Sequence, residues 1–234
     1  MDKQNVCVVF DLDDTLFLER DYARSGFRAV GEWCAEHLRL EGMQEQAQTL
    51  FDLGRRGDIF NEALDRLGIA GHAKMIPDMV RIYREHVPQI ALPTDAVECL
   101  TRLQGRVYLG LLTDGNPTSQ WAKIDALGLR DSFDMIVVTG DWGVEFFKPH
   151  VRGYQFLESH LNECYGRFIY VADNPLKDFF APRTLGWNAI RVRRPASLHQ
   201  DLECSAELAC FEVSDLKSVP DLISELYEVN CKSL

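Results

Sequence analysis

Four groups of polar residues in this sequence could together carry out phosphate chemistry. They are Asp11-Leu12-Asp13-Asp14-Thr15, Thr113-Asp114-Gly115-Asn116, Lys148-Pro149 and residues 173–178. Taken singly, each group is typical of a turn or a helix cap. Three acids after one apolar run are different, because like charges at that spacing repel unless a cation or a shifted pKa compensates them.

A hard divalent cation would supply that compensation. Asp173 and Asp178 come from a distant part of the chain and add two carboxylates to the acids of the first group. Oxygen ligands in octahedral geometry suit Mg²⁺. The sequence therefore predicts a metal site, and Mg²⁺ is the cofactor that we expect.

Short apolar runs precede these groups and predict the elements that position them. They occupy residues 6–10, 107–112, 135–138, 168–171 and 189–192, with 210–213 as a candidate sixth. Continuous β-branched runs indicate strands buried on both faces, as in a parallel sheet. Helical segments at 120–127, 151–160, 177–185 and 216–227 alternate with them. This alternation predicts a doubly wound, mostly parallel, Rossmann-like α/β fold, in which ligands bind at the carboxyl ends of the strands.

Residues 18–92 show a different sequence pattern, with apolar residues at helical spacing and no strand-like run. Breaks near Gly42, Gly54, Gly68 and Pro88 divide the segment into about four amphipathic helices. We therefore predict an α/β core formed by residues 1–17 and 93–234. The helices of residues 18–92 would form a small domain inserted after the first strand.

Composition excludes several classes of function. A chain with 46% hydrophobic residues can bury a core, so disorder is not expected. A net charge of −11 does not suit the phosphate backbone of DNA or RNA. The apolar run at residues 6–10 is too short for a signal peptide or a membrane span. We expect a soluble, cytoplasmic monomer or homodimer with no nucleic-acid or membrane partner.

Cysteines and histidines give no sign of a zinc site or a disulfide framework. The seven cysteines form no C-x-x-C pair, which predicts reduced and mostly buried thiols. The histidines show neither H-x-x-H nor H-E-x-x-H spacing, and no G-x-x-x-x-G-K-[ST] loop is present.

The ordered motifs resemble the haloacid dehalogenase-like (HAD) superfamily, in its branch with a helical cap after the first strand. The matching motifs are Asp11-x-Asp13-x-Thr15, Thr113, Lys148 and Asp173-x-x-x-x-Asp178. They span nearly the whole chain. One departure is Ala172, where glycine commonly precedes the last motif, and alanine is small enough to keep the loop close to a metal.

The resemblance implies roles for the first two motifs. Asp11 would be the nucleophile that forms an aspartyl-phosphate. Asp13 would protonate the leaving oxygen and then activate water. Thr113, with Asp114 and Gly115 beside it, would bind the phosphoryl oxygens.

The resemblance also implies a positively charged side chain and a metal site. Lys148 would place a fixed positive charge against the phosphoryl group. Asp11, Asp173 and the backbone carbonyl of Asp13 would ligate Mg²⁺, and Asp178 and Asn174 would support these ligands from outside.

The implied activity is Mg²⁺-dependent hydrolysis of a small phosphorylated metabolite, such as a sugar phosphate or a nucleotide. Residues 18–92 would form a lid that excludes water and selects the substrate. Candidate contacts in that lid are Arg20, Asp21, Tyr22, Arg24, Arg55 and Arg56.

Three alternatives stay open at this point. A 2-haloacid dehalogenase would attack carbon and would need neither an acid at Asp13 nor the Asp173/Asp178 pair, so these residues count against it. A phosphomutase would differ only in keeping the phosphoryl group from water. A non-catalytic phosphate-binding module would be expected to lack the nucleophile or the acid, and both are present.

Overall fold

A parallel sheet forms the centre of the protein in a computed structural model that describes residues 4–161, 167–205, 207–208 and 211–228. Within those residues the sheet has six strands, in the order β3-β2-β1-β4-β5-β6. The strands are β1 (Cys7–Phe10), β2 (Tyr108–Thr113), β3 (Met135–Val138), β4 (Phe168–Ala172), β5 (Asn188–Val192) and β6 (Phe211–Val213). The predicted doubly wound α/β fold is confirmed, and of the candidate sixth strand only Cys210 lies outside the described residues.

Strand order explains why polar residues gather at one edge. The chain runs outward from β1 through β2 to β3, and then returns to the other side of β1 for β4, β5 and β6. Phe10 is in register with Leu111 on β2 and with Val171 on β4. The carboxyl ends of the three central strands are therefore level, and the order reverses at β1, which is where open α/β sheets bind ligands.

The chain folds into two compact units, one formed by Met1–Glu19 with Ala91–Leu234 and the other by Arg20–Ile90. We call them the sheet unit and the helical unit. Helix α1 (Glu19–Trp33) begins at the last residue before the helical unit and continues into it. Helices α2 (Met43–Asp52), α3 (Ile59–Arg66) and α4 (Ile76–Glu85) lie within that unit. Residues Cys34–Leu38 continue α1 as a π-helical turn.

Aromatic rings fill the core of the helical unit. Phe27 on α1 packs against Phe51, Phe60 and Tyr83, with ring centroids 5.4 to 6.1 Å apart. Gly26 allows this approach, because a Cβ there would lie 2.5 Å from the Tyr83 ring.

The sheet unit contains the remaining helices of the described residues. They are α5 (Thr94–Leu103), α6 (Pro117–Ala126), α7 (Arg152–His160), α8 (Phe180–Thr184) and α9 (Val219–Tyr227). The prediction that a helix begins at Lys177 is wrong. Asn174 accepts hydrogen bonds from the Leu176 and Asp178 amides, so this stretch forms a turn before α8 begins. The last helix also begins later than predicted, at Val219 and not at Leu216.

Two further expectations concern membranes and thiols. Among the described residues, no helix is long and apolar enough to cross a membrane. Cys7, Cys34 and Cys99 are buried, as predicted. Cysteines 164, 210 and 231 lie outside the described residues.

Candidate active site

The predicted strand-end residues converge in the sheet unit. They line one pocket together with Glu19, Lys177 and His199, and the predicted members of that lining are Asp11, Asp13, Asp14, Thr113, Asp114, Asp173 and Asn174. The pocket lies where the strand order reverses, as the fold predicts.

The Lys148 side chain is completely buried, and its ammonium group contacts three hydrogen-bond acceptors. Its Nζ lies 2.6 Å from Asp11 Oδ1 and 2.8 Å from Asp178 Oδ1, and it donates to the Tyr170 hydroxyl at 2.9 Å. An ammonium has three protons, so these three acceptors use all of them. Burial works to lower the pKa of Lys148, but Asp11 and Asp178 raise it well above its ordinary value. The site therefore contains a permanent positive charge beside Asp11.

Asp11 is held between that lysine and a hydroxyl. Lys148 binds Oδ1, and the Thr15 hydroxyl donates to Oδ2 at 3.4 Å. Burial raises the pKa of Asp11 to about 7, with Lys148 opposing the rise and Asp178 adding to it. The Lys148 ammonium therefore does not offset the combined effect of burial and of Asp178 on the pKa of Asp11.

Asp13 faces a different pair of side chains. Lys123 Nζ lies 2.7 Å from Asp13 Oδ1 and 2.8 Å from Oδ2, and the Gln120 amide donates to Oδ2 at 3.0 Å. The same amide donates to the Thr113 hydroxyl. Sequence analysis missed Gln120 and Lys123. The available signal was their spacing of three positions on the helix that follows the Thr113 strand, which places them on one face.

Asp14 fixes the shape of the first loop. Its backbone has φ 56°, in the left-handed region that aspartate tolerates better than most residues. Its carboxylate accepts hydrogen bonds from the amides of Glu19 at 2.9 Å and Leu198 at 2.8 Å. Burial raises the pKa of Asp14 to about 7, against those two hydrogen bonds.

Asp114 joins the second motif to the third. Its carboxylate accepts from the Thr139 hydroxyl at 2.7 Å and from the Lys148 amide at 3.1 Å. Lys177 Nζ lies 3.4 Å from it. Gly115 is needed beside it, because its φ of 132° is strained for other residues.

The last motif brings three predicted residues and one unpredicted residue together. Asp178 Oδ2 accepts the Asn174 amide at 3.0 Å. His199 Nδ1 lies 3.1 Å from Asp173 Oδ2, and its Nε2 lies 3.2 Å from the Asn174 side chain. The hydrogen bond to Asp173 raises the pKa of His199. His199 comes from an irregular loop after β5, and no pattern in the sequence points to it.

The carboxylates present fit a hard divalent cation. Asp11, Asp173 and Asp178 each offer an oxygen within 4.8 Å of the others. Burial raises the pKa values of Asp11 and Asp173, which means that the protein alone leaves their negative charge poorly stabilised. Asp178 already accepts from Lys148 and Asn174. All three carboxylates could hold the ion, and the assignment of Asp11 and Asp173 as direct ligands with Asp178 as their support stays a prediction.

Within the helical unit, the candidate arginines of the α2–α3 connection have partners in their own unit. Arg55 Nε lies 2.8 Å from Glu62 Oε2. Arg56 donates to the Phe51 carbonyl at 3.0 Å, and its guanidinium lies 4.0 Å from the centroid of the Phe51 ring. Their role in substrate selection stays a prediction.

The candidates on α1 differ in exposure. Tyr22 is buried, and its hydroxyl donates to the Tyr83 carbonyl at 3.3 Å. Arg24 forms an exposed ion pair with Asp21 at 3.5 Å. Arg20 pairs with Asp52 of α2 at 3.6 Å in the same unit. Their predicted contacts with substrate likewise stay predictions.

Comparison with known proteins matches this chain to an enzyme family. The chain is 24% identical to the glyceraldehyde 3-phosphate phosphatase of Methanocaldococcus jannaschii over 228 residues, which cover 94% of this chain and 97% of that protein. It is 26% identical to the (S)-2-haloacid dehalogenase of Xanthobacter autotrophicus over 196 residues, covering 80% and 74% of the two chains.

Among solved structures, the HAD-hydrolase YfnB of Bacillus subtilis bound to magnesium has the same fold. Its TM-score is 0.69 at 18% sequence identity, and the match covers 94% of this chain and 99% of that one. The family model for haloacid dehalogenase-like hydrolases matches residues 6–184, which include all four motifs. This protein therefore belongs to the haloacid dehalogenase-like hydrolase family.

Proposed function

We propose that this protein is a Mg²⁺-dependent phosphohydrolase that acts on a small phosphorylated metabolite through an aspartyl-phosphate. One observation carries the proposal. A second carboxyl group, that of Asp13, lines the same pocket as Asp11, where its protonated form could donate a proton to a leaving oxygen. Relatives named as phosphatases support the same class of reaction.

The proposed reaction has two steps. In the first, the Asp11 carboxylate bonds to phosphorus, the bond from phosphorus to the ester oxygen breaks, and Asp13 gives that oxygen a proton. In the second, Asp13 takes a proton from water as the water attacks phosphorus, and Asp11 is released with inorganic phosphate. Splitting the displacement in this way leaves both carboxylates in their starting states.

The remaining residues hold the groups in place. Lys148 keeps Asp11 oriented through the 2.6 Å contact and brings positive charge to the phosphoryl group. The Thr113 hydroxyl would donate to a phosphoryl oxygen. A bound Mg²⁺, held by Asp11, Asp173 and the Asp13 carbonyl, would offset the charge of the carboxylates and the phosphate.

The helical unit would act as the lid that selects the substrate, as residues 18–92 were predicted to do. Phosphate contacts are the same for every phosphomonoester, so they cannot distinguish one from another. Discrimination would then require groups that contact the leaving part of the substrate. Sugar phosphates and nucleotides are the classes that we propose first.

Dehalogenation is the second candidate, because one relative carries that name. That reaction also begins with a carboxylate nucleophile, but on carbon, and it has no use for an acid at Asp13. Phosphoryl transfer to another hydroxyl, as in a phosphomutase, would use the same residues as hydrolysis.

A single panel separates these functions. Purified protein would be given phosphomonoesters, including glyceraldehyde 3-phosphate, sugar phosphates and nucleotides, with Mg²⁺ or with EDTA. Free phosphate would be measured, and 2-chloropropionate with chloride detection would test dehalogenation. Phosphate release that requires Mg²⁺ and disappears in Asp11→Asn is the expected result. Chloride release without phosphate release, or isomerised phosphate esters without free phosphate, would overturn the proposal.

A further inference from the structure

Two residues of α6 hold the carboxylate of Asp13 from one side. Lys123 Nζ contacts both oxygens, at 2.7 and 2.8 Å, and Gln120 donates to one of them at 3.0 Å. We call Gln120 and Lys123 the Asp13 clamp. We infer that the clamp positions Asp13 for proton transfer to the leaving group. This inference rests on the proposed phosphohydrolase function.

Burial makes the clamp rigid. Gln120 is 2% exposed and Lys123 is 5% exposed. A lysine in that position loses its hydration, so it is retained only where a partner compensates the charge. The Asp13 side chain is more open, at 21% exposure, and it lines the pocket. The buried ammonium therefore fixes a carboxylate whose other surface faces the reacting groups.

The helix that carries the clamp is itself anchored at its start. Asn116 caps α6, with its side-chain oxygen accepting the Ser119 amide at 3.3 Å, and Pro117 occupies the first turn. Helix α6 begins directly after the loop that follows Thr113. The position of the clamp is therefore tied to the end of β2 and not to a flexible segment.

Gln120 also links Asp13 to Thr113 through hydrogen bonds. One amide nitrogen donates to both Asp13 Oδ2 and the Thr113 hydroxyl. Thr113 is the residue expected to bind a phosphoryl oxygen. The amide therefore sets the distance between the proton donor and the phosphoryl group, which is the quantity that proton transfer requires to be fixed.

Binding of phosphate by Lys123 would be the rival role for this lysine. The described residues that line the pocket include Asp13, Lys177 and His199, but not Lys123. Its two contacts with Asp13 direct its charge to the carboxylate. Lys123 is thus a positioning residue, and its effect on the reaction should pass through Asp13.

Leaving groups of unequal quality provide the test. 2,4-Dinitrophenolate departs without a proton, whereas phenolate needs one, and both substrates are aryl monoesters of phosphate. We expect Lys123→Met to lower kcat/KM for phenyl phosphate at least about tenfold more than for 2,4-dinitrophenyl phosphate, within the ~10²–10⁴-fold range of acid catalysis. Lys123→Arg keeps the charge and should recover part of the loss. Thr118→Ala, at an exposed position of the same helix, is the matched control and should change neither rate.

A double-mutant cycle tests whether the effect passes through Asp13. Adding Lys123→Met to Asp13→Asn should cost no further activity on phenyl phosphate, because the group that the lysine positions is already absent. Gln120→Leu, which leaves the net charge unchanged, should show the same leaving-group dependence. If thermal unfolding shows that Lys123→Met does not fold, Gln120→Leu replaces it in the comparison of the two aryl esters.

The outcomes are distinct. Equal losses on the two aryl esters, or the same loss from Lys123→Met with and without Asp13, would overturn the positioning role while leaving the phosphohydrolase intact. A wild-type protein that hydrolyses no phosphomonoester would overturn both. Selective loss on phenyl phosphate, absent when Asp13 is absent, would support the inference.

Discussion

The sheet unit contains buried ion pairs beside exposed ones, whereas the pairs of Arg24 and Arg55 in the helical unit are exposed. Lys148 and Asp178 are both 0% exposed at their side chains, and Arg194 and Asp95 are 9% and 10% exposed. In the helical unit, Arg55 is 62% exposed beside Glu62. A buried pair fixes its members, because separation would leave an unpaired charge away from water, whereas an exposed pair exchanges easily with solvent.

We propose that this difference reflects two separate functions, catalysis in the sheet unit and substrate recognition in the helical unit. Phosphoryl transfer requires carboxylates and cations at fixed separations, and the sheet unit holds them by burial. Recognition of a substrate requires side chains that can leave one partner for another at small cost. We propose the exposed arginines of the helical unit for that role, and the comparison predicts large effects of substitution in the first unit and selective ones in the second.

Asp11→Asn should have the largest effect. The amide cannot attack phosphorus, and it also weakens the proposed metal site. We expect the rate of phosphate release to fall by roughly 10³-fold or more, as for other nucleophiles. Circular dichroism should show an unchanged fold, and Asp125→Asn, at an exposed acid paired with Arg130, is the matched control.

Mass spectrometry sharpens this test. A phosphate adduct on Asp11 is expected during turnover of the wild type, and it should accumulate in Asp13→Asn. If Asp11→Asn kept a tenth of the wild-type rate, the assigned nucleophile would be wrong. If no adduct formed in either protein, direct attack by water would replace the covalent route.

Asp173→Ala should act through the metal. We expect weaker Mg²⁺ binding in titration calorimetry and a higher Mg²⁺ concentration for half-maximal activity, because this carboxylate is one of few protein ligands proposed for the ion. His199→Ala should shift the same two quantities less, by about 10–100-fold, since it acts through its 3.1 Å contact with Asp173. Unchanged Mg²⁺ binding in Asp173→Ala would remove this residue from the ligand set.

The features predicted from the sequence are those encoded by local patterns. Each apolar run became a strand, and the rule that parallel strands present ligand-binding residues at their carboxyl ends placed Asp11, Thr113 and Asp173 in one pocket. Lys148 was predicted because Lys148-Pro149 follows the third apolar run and matches the third motif of the resemblance. The local signals and the fold agree at these positions.

Other site residues could not be predicted because their position depends on tertiary packing. Whether Lys123 points to the sheet depends on the rotation of α6, which a ten-residue helix with mixed polarity does not reveal. His199 depends on the path of an irregular loop. That path is fixed by Arg191, which is fully buried and donates to the carbonyls of His199 at 3.0 Å and Leu202 at 2.6 Å.

Asp95→Asn should reduce stability more than activity. Arg194 contacts Asp95 at 2.8 Å and also donates to the Thr15 carbonyl at 3.0 Å. Removing one member of a buried pair typically costs about 3–5 kcal/mol, so urea unfolding at neutral pH should show a loss near the lower end of that range. Arg130→Ala, which breaks an exposed pair in the same unit, should leave the unfolding midpoint nearly unchanged.

The loss from Asp95→Asn should depend on pH. Burial works to raise the pKa of Asp95, but hydrogen bonds from Arg194 and the Leu216 amide outweigh it and hold the pKa below its ordinary value. The folded state therefore favours the ionised form. Its extra stability is fully present above the unfolded pKa of about 3.9 and is lost as the pH falls through the lower folded value. A stability difference that stayed constant down to that range would contradict the assignment.

Arg55→Ala and Arg24→Ala should have the smallest overall effects and the most selective ones. Both arginines are exposed, at 62% and 63%, so their removal should leave the melting temperature nearly unchanged. A side chain that contacts the leaving part of the substrate would matter only for substrates that have something to contact. We therefore expect kcat/KM for the best natural phosphomonoester to fall roughly tenfold or more, with little change for p-nitrophenyl phosphate.

Arg66→Ala is the matched control, because Arg66 binds the same Glu62 at 3.1 Å and is not a candidate contact. Comparing two substrates within one variant cancels any loss of folded enzyme. Equal losses on both would make these arginines structural, and no loss on either would leave substrate selection to other residues of the helical unit.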